Sequence, residues 1–237
     1  MKIHLYINFY LSDNKERNEE NQFCVMKNAL LKDVDQIHVV VDDKQDYEWL
    51  KKIYGDKLCV HVQAQRPTFR DFFDVANQHT SEDNCINIIA NTDIEFTPSL
   101  QKLKHFSWEN DVFCITRNDV TDNAPNSQDA WVWKGKINML PHHGKFYLGK
   151  AYCDNAIAHQ FKEAGYQIAN PRNDIELIHH HKSDYRTWSW DKNDIVAPPY
   201  QQVLPCDLPH RVYWGYYFMV MVIVVVCIWI FLVNIVE

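Results

Sequence analysis

The chain of 237 residues is long enough for one substantial domain or two small ones, and its apolar content of 46% can supply a hydrophobic core. A net charge of −7 argues against an extended nucleic-acid-binding surface, because such surfaces are basic. A polyanionic ligand would therefore have to be held locally, by a metal ion or by a few placed cations.

Strand-like and helix-like patterns alternate over the first part of the chain. Strands are predicted over 3–10, 37–41, 58–62 and 86–91, and helices over 22–31, 46–54 and 68–78. This β-α-β alternation with short connections predicts a mainly parallel sheet that is covered by helices on both faces.

The pattern becomes mixed after Pro98. Strands are predicted over 112–116 and 130–133, a helix from near Asp154 to Gly165, and a further strand over 166–171. A histidine-rich segment, ELIHHHKSDYRTW, follows. Together these elements predict an α/β fold with a mixed, mainly parallel sheet flanked by helices, in one domain over 1–197.

The C-terminal segment, VYWGYYFMVMVIVVVCIWIFLV, contains no charge and is about as long as a hydrocarbon core is thick. Tyr and Trp residues at its start are typical of an interfacial aromatic belt. We predict a transmembrane tail anchor over 212–234 behind a Pro-rich linker over 198–211; the alternative is a buried core helix. His210 and Arg211 before the span favour a cytoplasmic location for the catalytic domain.

The segment INIIANTDIEF, residues 86–96, is an apolar strand pattern that ends in two acidic residues, Asp93 and Glu95. Ligands of open α/β sheets bind just beyond the carboxyl ends of strands. Carboxylates in that position can hold a divalent cation that also binds phosphate. The alternative is a solvated strand end whose Asp begins a turn.

Asp154 stands at the predicted start of the helix that begins CDNAIA. An Asp in this position can act as an N-cap, because its oxygen accepts hydrogen bonds from unpaired backbone N–H groups. It can equally act as a base that deprotonates an acceptor hydroxyl at the mouth of a cleft. The spacing leaves both roles open.

The order of these motifs resembles the nucleotide-sugar glycosyltransferases of the GT-A fold. A strand ends in Asp-type residues, an acidic residue opens a later helix followed by EAGYQIANP, and a His cluster comes last. The stretches SQDAWVWKG, CDNAIA and HHHKSDYR are especially similar to glycosyltransferase domains encoded by chloroviruses, which are large algal viruses. The resemblance extends over residues 2–190 and leaves the linker and the anchor outside it.

The resemblance implies that Asn91, Thr92 and Asp93 occupy the Asp-x-Asp site of that family. Asp93 would bind Mn²⁺ or Mg²⁺ that bridges the donor diphosphate, and Asn91 would face the ribose or the sugar. Asn91 replaces the first acid of the motif, which implies a looser dependence on metal. Glu95 would assist as a further ligand, since the period of two along a strand places it on the face of Asp93.

The resemblance also implies that Asp154 is the base of an inverting transfer, with Cys153 in place of the acid that usually precedes it. A C-terminal His often completes the metal shell of the family. On a strand His179 and His181 share one face and His180 points away, so His181 and then His179 are the predicted ligands. The alternative is a solvated or capping His cluster.

Two further positions are assigned to the nucleotide by the resemblance. Asp42 ends the second strand, where uridine or ribose is often bound in this fold, and Arg66 could reach the base or the phosphates with a bidentate fork. The alternative is a helix start with two solvated arginines, which is the expectation for Arg70.

The stretch NSQDAWVWKG is assigned to the acceptor. Trp131 and Trp133 share a strand face and could stack on sugar rings, and Asp129 could hold acceptor hydroxyls. The alternative is a pair of core tryptophans beside a turn Asp. Residues 182–186 are expected to close over the donor.

The sequence therefore predicts a membrane-anchored, metal-assisted glycosyltransferase of hexosyl or deoxyhexosyl groups. It would move the sugar of a nucleoside diphosphate donor, expected to be UDP-linked, to a hydroxyl of a glycan or lipid-linked acceptor. One alternative is a membrane-tethered, catalytically weak module that binds a sugar nucleotide or a glycan. Another is a metal-dependent phosphoesterase, which would need a denser set of ligands.

Overall fold

The computed structural model describes residues 1–41, 48–80, 84–119, 127–183, 191 and 194–209. The predicted anchor over 212–234 and the predicted nucleotide contact Asp42 lie outside these residues, as does much of the predicted closing loop. Within the described ranges no helix combines the length and the apolar character that crossing a membrane requires.

Nine strands and five α-helices make up the described part of the domain. The strands are β1 (Lys2–Asn8), β2 (Gln36–Val41), β3 (Leu58–Val62), β4 (Cys85–Ala90), β5 (Ile94–Phe96), β6 (Asp111–Ile115), β7 (Ala130–Lys134), β8 (Gln167–Ala169) and β9 (Leu177–His179). The helices are α1 (Lys15–Leu30), α2 (Glu48–Tyr54), α3 (Phe69–His79), α4 (Lys102–His105) and α5 (Cys153–Glu163).

Seven strands form one sheet in the order β3-β2-β1-β4-β7-β6-β8. All neighbours are parallel except β7, which runs antiparallel to both β4 and β6. The remaining strands, β5 and β9, pair antiparallel in a separate two-stranded ribbon. The fold is thus mixed α/β with a mainly parallel sheet, as the alternation of elements predicts.

The core lies on both faces of the large sheet. In β4, Ile86 and Ile88 belong to the cluster on one face and Ile89 to the cluster on the other. Helix α1 contributes to the first cluster through Val25, and α3 and α5 contribute aromatic side chains to the second. A strand buried on both faces reads as a continuous apolar run, which explains the INIIA pattern.

Helix α1 begins well before the predicted start at residue 22. The side chain of Asn14 caps it by accepting a hydrogen bond from Arg17 N. Arg17, Asn21 and Asn28 are buried although they are polar. The apolar period is therefore interrupted along the buried face, which is why the pattern missed the first two turns.

The described segment 194–209, which includes most of the predicted Pro-rich linker, lies against the domain. Ile195 bridges to Ala151, and Pro205 bridges to Asn170. Asn170 also donates a side-chain hydrogen bond to Val203 O, so this segment adds to the surface of the domain.

Candidate functional site

The carboxyl edge of β4 is joined to the start of β7. Asn91 N donates to Asp129 O at 3.0 Å, and Asn91 Nδ2 donates to Asp129 Oδ1 at 3.1 Å. Because β7 is reversed, its first residues lie at the same edge as the last residues of β4 and β6. Thr92 anchors the turn that follows by donating its hydroxyl to Asn8 O at the end of β1.

Asp93 is the centre of a buried charged cluster at this edge. Its Oδ2 accepts a hydrogen bond from Arg17 Nη2 at 2.7 Å and lies 3.1 Å from His179 Nε2 and 3.5 Å from His181 Nδ1. Only 5% of Asp93 is exposed. The backbone holds the partners in place, since His180 N donates to Asp93 O at 2.9 Å.

The electrostatics of this cluster favour ionised partners. Burial opposes ionisation of Asp93, yet hydrogen bonds from His179 and His181 and the charge of Arg17 hold the pKa of this carboxyl well below its usual range. Burial likewise opposes protonation of His179, but its hydrogen bond to Asp93 and the charge of that carboxylate outweigh burial and raise the histidine pKa.

The same residues suit a divalent cation. Asp93, His179 and His181 each offer one ligand atom, and these atoms all lie within 4.8 Å of one another. A carboxylate oxygen with two imidazole nitrogens is a donor set that Mn²⁺-type metals accept. Nε2 of His181 is buried without a hydrogen-bond partner in the described part of the chain, so this ring is incompletely satisfied by protein groups. The donor set therefore fits the predicted ion, although Arg17 shares the same carboxylate oxygen.

Glu95 lies apart from this cluster, and the prediction that it shares the face of Asp93 is wrong. Its carboxylate is 2.8 Å from His180 Nε2 and 3.2 Å from Lys27 Nζ. Thr92 and Asp93 form a turn, and β5 begins only at Ile94. The alternation of a strand therefore does not extend back to Asp93.

Asp154 lies in the first turn of α5, while Tyr152, in a left-handed conformation, occupies the N-cap position. The carboxylate accepts hydrogen bonds from Gln128 N at 3.1 Å and Asn155 N at 2.9 Å. Burial raises the pKa of Asp154 to about 6, against the opposing effect of these two hydrogen bonds, and the nearby charge of Asp129 adds to the rise. A carboxyl group with this pKa suits a base that works near neutral pH.

The predicted acceptor residues are interior residues. Trp131 is fully buried and packs edge-on against Phe69, with ring centroids 4.8 Å apart. Trp133 packs in the same way against Phe73. The prediction of an open aromatic platform is therefore wrong here, because the strand face that these residues share is covered by α3.

Asp129 is also buried, with 3% of its side chain exposed, and its carboxylate has two protein partners, Asn91 and Arg117. Besides Asn91, it accepts a hydrogen bond from Arg117 Nη1 at 3.0 Å. Asp129 thus links Asn91 to Arg117, and its carboxylate does not face an open surface for acceptor hydroxyls.

The predicted nucleotide contact Arg66 lies beside the loop that precedes α5. Its Nη2 donates to Leu148 O at 2.6 Å, and its guanidinium lies 5.3 Å from the centre of the Tyr147 ring. Arg70, expected to be solvated, donates to His143 O at 3.2 Å and so fastens the 139–143 segment to α3. The described contacts join neither arginine to Asp93.

Sequence reasoning missed four charged residues that complete the network. Arg17 pairs with Glu20 at 3.2 Å as well as with Asp93. Asp119 lies 3.4 Å from His179 Nδ1 and 3.2 Å from Arg117 Nε. These contacts form a continuous chain, which we call the charged network. It runs through Glu20, Arg17, Asp93, His179, Asp119, Arg117 and Asp129 and ends at the neutral side chain of Asn91.

One signal could have found Arg117, which directly follows Ile115 and Thr116 at the end of a buried strand. Arg17 carries no such signal, because it lies in a polar stretch whose helix could not be predicted from its pattern.

Glu20 accepts hydrogen bonds from Lys182 N at 2.5 Å and Ser183 N at 2.9 Å. It thereby ties the start of the predicted closing loop to α1.

A cavity of about 630 Å³ lies elsewhere, between the 145–147 segment, α5 and the 195–199 segment. Its lining includes His142, His159 and Glu163 but neither Asp93 nor Asp154. The volume is within the range of small-molecule sites, yet its position separates it from the charged network.

No protein-family model matches the sequence. No curated protein matches it either. Among solved structures, the mannosyltransferase PcManGT of Pyrobaculum calidifontis, in complex with GDP-Man and Mn²⁺, is similar in fold with a TM-score of 0.50 and 11% identity. The match covers 78% of this chain and 58% of that one.

Two further solved structures are less similar in fold. A fragment of S. aureus TarS has a TM-score of 0.37 and 17% identity, over 50% of this chain and 36% of that fragment. A putative glucose-1-phosphate thymidylyltransferase of Bacillus anthracis has a TM-score of 0.45 and 9% identity, over 75% of this chain and 89% of the other. The chain thus spans 36% of the TarS fragment and 58% of the mannosyltransferase structure. Its mixed, mainly parallel sheet fits a GT-A or Rossmann-like fold.

Proposed function

We propose that this chain is a metal-assisted glycosyltransferase that uses a nucleoside diphosphate sugar, expected to be a UDP-sugar. The acceptor is a hydroxyl of a glycan or of a lipid-linked glycan, and the transferred group is a hexosyl or deoxyhexosyl residue. The observation that carries the proposal is the cluster of Asp93, His179 and His181 at the carboxyl edge of β4. That edge is where open α/β sheets bind their ligands.

Asp93, His179 and His181 would hold Mn²⁺ or Mg²⁺. When bound, the ion would neutralise the charge that develops on the leaving diphosphate. The donor complex of the mannosyltransferase, which contains GDP-Man and Mn²⁺, supports this assignment by analogy of fold. Arg17 and Arg117 lie at the same edge, where they form ion pairs with Asp93 and Asp129.

Asp154 would act on the acceptor. In an inverting transfer the acceptor oxygen bonds to the anomeric carbon, the bond from that carbon to the diphosphate oxygen breaks, and the hydroxyl proton passes to the Asp154 carboxylate. A pKa of about 6 leaves this carboxylate ionised at neutral pH, ready to accept the proton. In a retaining transfer Asp154 would instead orient the acceptor.

The membrane anchor is part of the proposal and is supported by the uncharged stretch over 212–234. It would keep the domain at the cytoplasmic face of a membrane, close to lipid-linked acceptors. The resemblance to chlorovirus domains lies in sequence motifs, and the proposed function does not depend on a viral origin.

The test is donor binding by the full chain in detergent, measured by calorimetry against a panel of nucleoside diphosphate sugars with and without Mn²⁺. We expect metal-dependent binding of one donor, lost in Asp93→Asn and kept in Glu95→Gln. Glu95 is the matched control, because it is a neighbouring carboxylate with its own His partner outside the cluster. Failure to bind any donor, or equal binding by Asp93→Asn, would refute the assignment.

A second candidate function follows from the hydrogen bond between Arg17 and Asp93. The Arg17 guanidinium occupies the carboxylate that would bind the metal. Asn91 and Cys153 also stand where the resembled family has acids. Both features favour a module that binds the donor without turnover. Donor binding with no transfer to any offered glycan acceptor would support this function over catalysis.

A further inference from the structure

Three histidines from three different elements meet beside the edge of the large sheet. His38 of β2 and His61 of β3 lie on the same sheet face, and His79 is the last residue of α3, which covers that face. Nδ1 of His38 is 2.9 Å from Nε2 of His61, and the His79 ring centre lies 4.7 Å from that of His38. One nitrogen from each ring can be chosen so that all three lie within 4.8 Å.

His38 and His61 have the protonation state that metal ligands need. Burial, and after it the neighbouring imidazoles of His4, His61 and His79, lower the pKa of His38 to about 2. Burial and His79 lower the pKa of His61 to about 4. Neutral imidazole is the form that binds a metal, so at neutral pH these two rings need not lose a proton first.

The neighbourhood is also short of hydrogen-bond partners. Nε2 of His38 and Nδ1 of the adjacent His4 are buried, and neither has a partner among the residues that the structure describes. Buried polar atoms are nearly always paired in folded proteins. His79 is exposed and His61 half-buried, so the cluster is open to solvent on one side, and an ion could enter there.

We propose that His38, His61 and His79 form a second cation site, selective for Zn²⁺ and related late transition metals, which ties α3 to β2 and β3. None of its residues belongs to the Asp93 cluster. A fourth ligand position would be taken by water from the exposed side.

The geometry needs only small adjustments. Zn–N bonds are about 2.0–2.1 Å long, so nitrogens of a tetrahedral site lie about 3.3 Å apart. The pair at 2.9 Å would open slightly, and the exposed His79 side chain at the helix end would close in. The donor set contains nitrogen alone, which suits Zn²⁺, Co²⁺, Ni²⁺ or Cu²⁺ far better than the oxygen-preferring Mg²⁺.

Cobalt is the probe, because tetrahedral Co²⁺ absorbs visible light where Zn²⁺ is silent. The full chain, stripped with a chelator, is titrated with Co²⁺ and then with Zn²⁺ to displace it. We expect one set of tetrahedral bands in the unmodified protein, and in Asp93→Asn, where the other cluster is disabled. Zn²⁺ affinity should fall more than about a hundredfold in His61→Ala and His79→Ala, since even losing an outer partner of a ligand costs 10–100-fold.

Two variants make the result independent of folding. His105→Ala removes an exposed His at the end of α4 and should leave the bands unchanged. His79→Cys keeps a ligand at the same position and should add a thiolate-to-cobalt charge-transfer band in the near ultraviolet. Absence of tetrahedral bands in the unmodified protein, or their persistence in both His61→Ala and His79→Ala, would overturn the proposal.

Discussion

Asp154 lies in a buried environment in the first turn of α5. Its carboxylate is held by two backbone N–H groups, yet burial still raises its pKa to about 6. A structural carboxylate at a helix start would gain from ionisation near the positive end of the helix dipole. The raised pKa instead indicates a group kept in place at a cost to stability, as is common for catalytic residues.

We expect Asp154→Asn to lower the transfer rate by about 10²–10⁴-fold with donor affinity unchanged, because the amide cannot accept the acceptor proton. In the unmodified enzyme the rate should rise with pH up to about 6 and then level off. Glu163→Gln, at the other end of the same helix, serves as the control and should retain the rate. Full activity in Asp154→Asn would exclude Asp154 as the base.

The same pKa predicts a pH dependence of stability. Because the folded-state pKa lies above the unfolded value, the contribution of Asp154 is fully present below about pH 4 and is lost as the pH rises through about 6. Relative to Asp154→Asn, the unmodified chain should therefore lose about 2–3 kcal/mol of unfolding free energy over that interval. Urea denaturation of both proteins from pH 4 to pH 7 measures the difference.

Arg17 competes with a metal ion for Asp93. Without divalent cations, Arg17→Gln should lose about 3 kcal/mol of unfolding free energy, since it leaves a buried carboxylate with one partner fewer. Mn²⁺ should restore part of the loss and should bind Arg17→Gln more tightly than the unmodified chain. Denaturation and calorimetry with and without Mn²⁺ measure both effects.

Lys15→Gln is the matched control for Arg17. Its side chain is 91% exposed and pairs with Glu19 at the surface, so its removal should change stability by less than about 0.5 kcal/mol. If Mn²⁺ stabilised Arg17→Gln no more than Lys15→Gln, Asp93 would not be a metal ligand.

At the scale of elements, α3 is fixed at its N-terminus by two devices. Thr68 and Asp71 form a capping box. The next two backbone N–H groups are taken by a distant loop, since Phe69 N donates to Phe146 O and Arg70 N to Gly144 O. The carbonyl oxygens of this loop therefore accept hydrogen bonds from backbone N–H groups that, at other helix starts, often bind water.

This contact predicts a large difference between two glycines of similar conformation. Gly144 has a φ of +73°, and a Cβ there would lie 2.8 Å from Arg70 N, whereas Gly55, with a φ of +64°, has open space. Gly55→Ala should cost about 1–2 kcal/mol for the left-handed conformation alone. Gly144→Ala should cost clearly more, because backbone must move as well. Equal melting temperatures of the two variants would contradict this contact.

The elements differ in how well their patterns predict them. The apolar face of α3, with Phe69, Phe72, Phe73 and Ala76 buried, follows from its period alone. The ribbon of β5 and β9 could not be predicted, because each strand has only three residues and their pairing joins distant segments. That ribbon is what brings the histidines to Asp93.

Trp131 shows why the site was harder to predict than the fold. Alternation correctly places Trp131 and Trp133 on one face, but a strand pattern does not tell which face a helix will cover. The partners of Asp93 present the same difficulty, since Arg17 and His179 lie 76 and 86 residues away from it. Strand ends mark where a site forms, and tertiary packing decides which charges meet there.

At the scale of the whole molecule, the proposed anchor and the proposed donor site lie in different parts of the chain, so membrane binding and donor binding can be tested separately. The full chain should remain with membranes after an alkaline wash, and a chain ending at residue 209 should be released, because it lacks the uncharged stretch. Donor affinity should be the same in both, since the charged network lies before residue 184. Release of the full chain by the wash would refute the anchor over 212–234.

The charged network has a consequence for how a diphosphate would be received. Arg17 already binds Asp93 and Glu20, and Arg117 already binds Asp119 and Asp129. An incoming anion would exchange partners within this array, because both arginines are already neutralised by carboxylates. Long-range attraction is the part of binding that salt screens most. Donor affinity should therefore vary little with ionic strength, and capture should depend on local rearrangement more than on electrostatic steering.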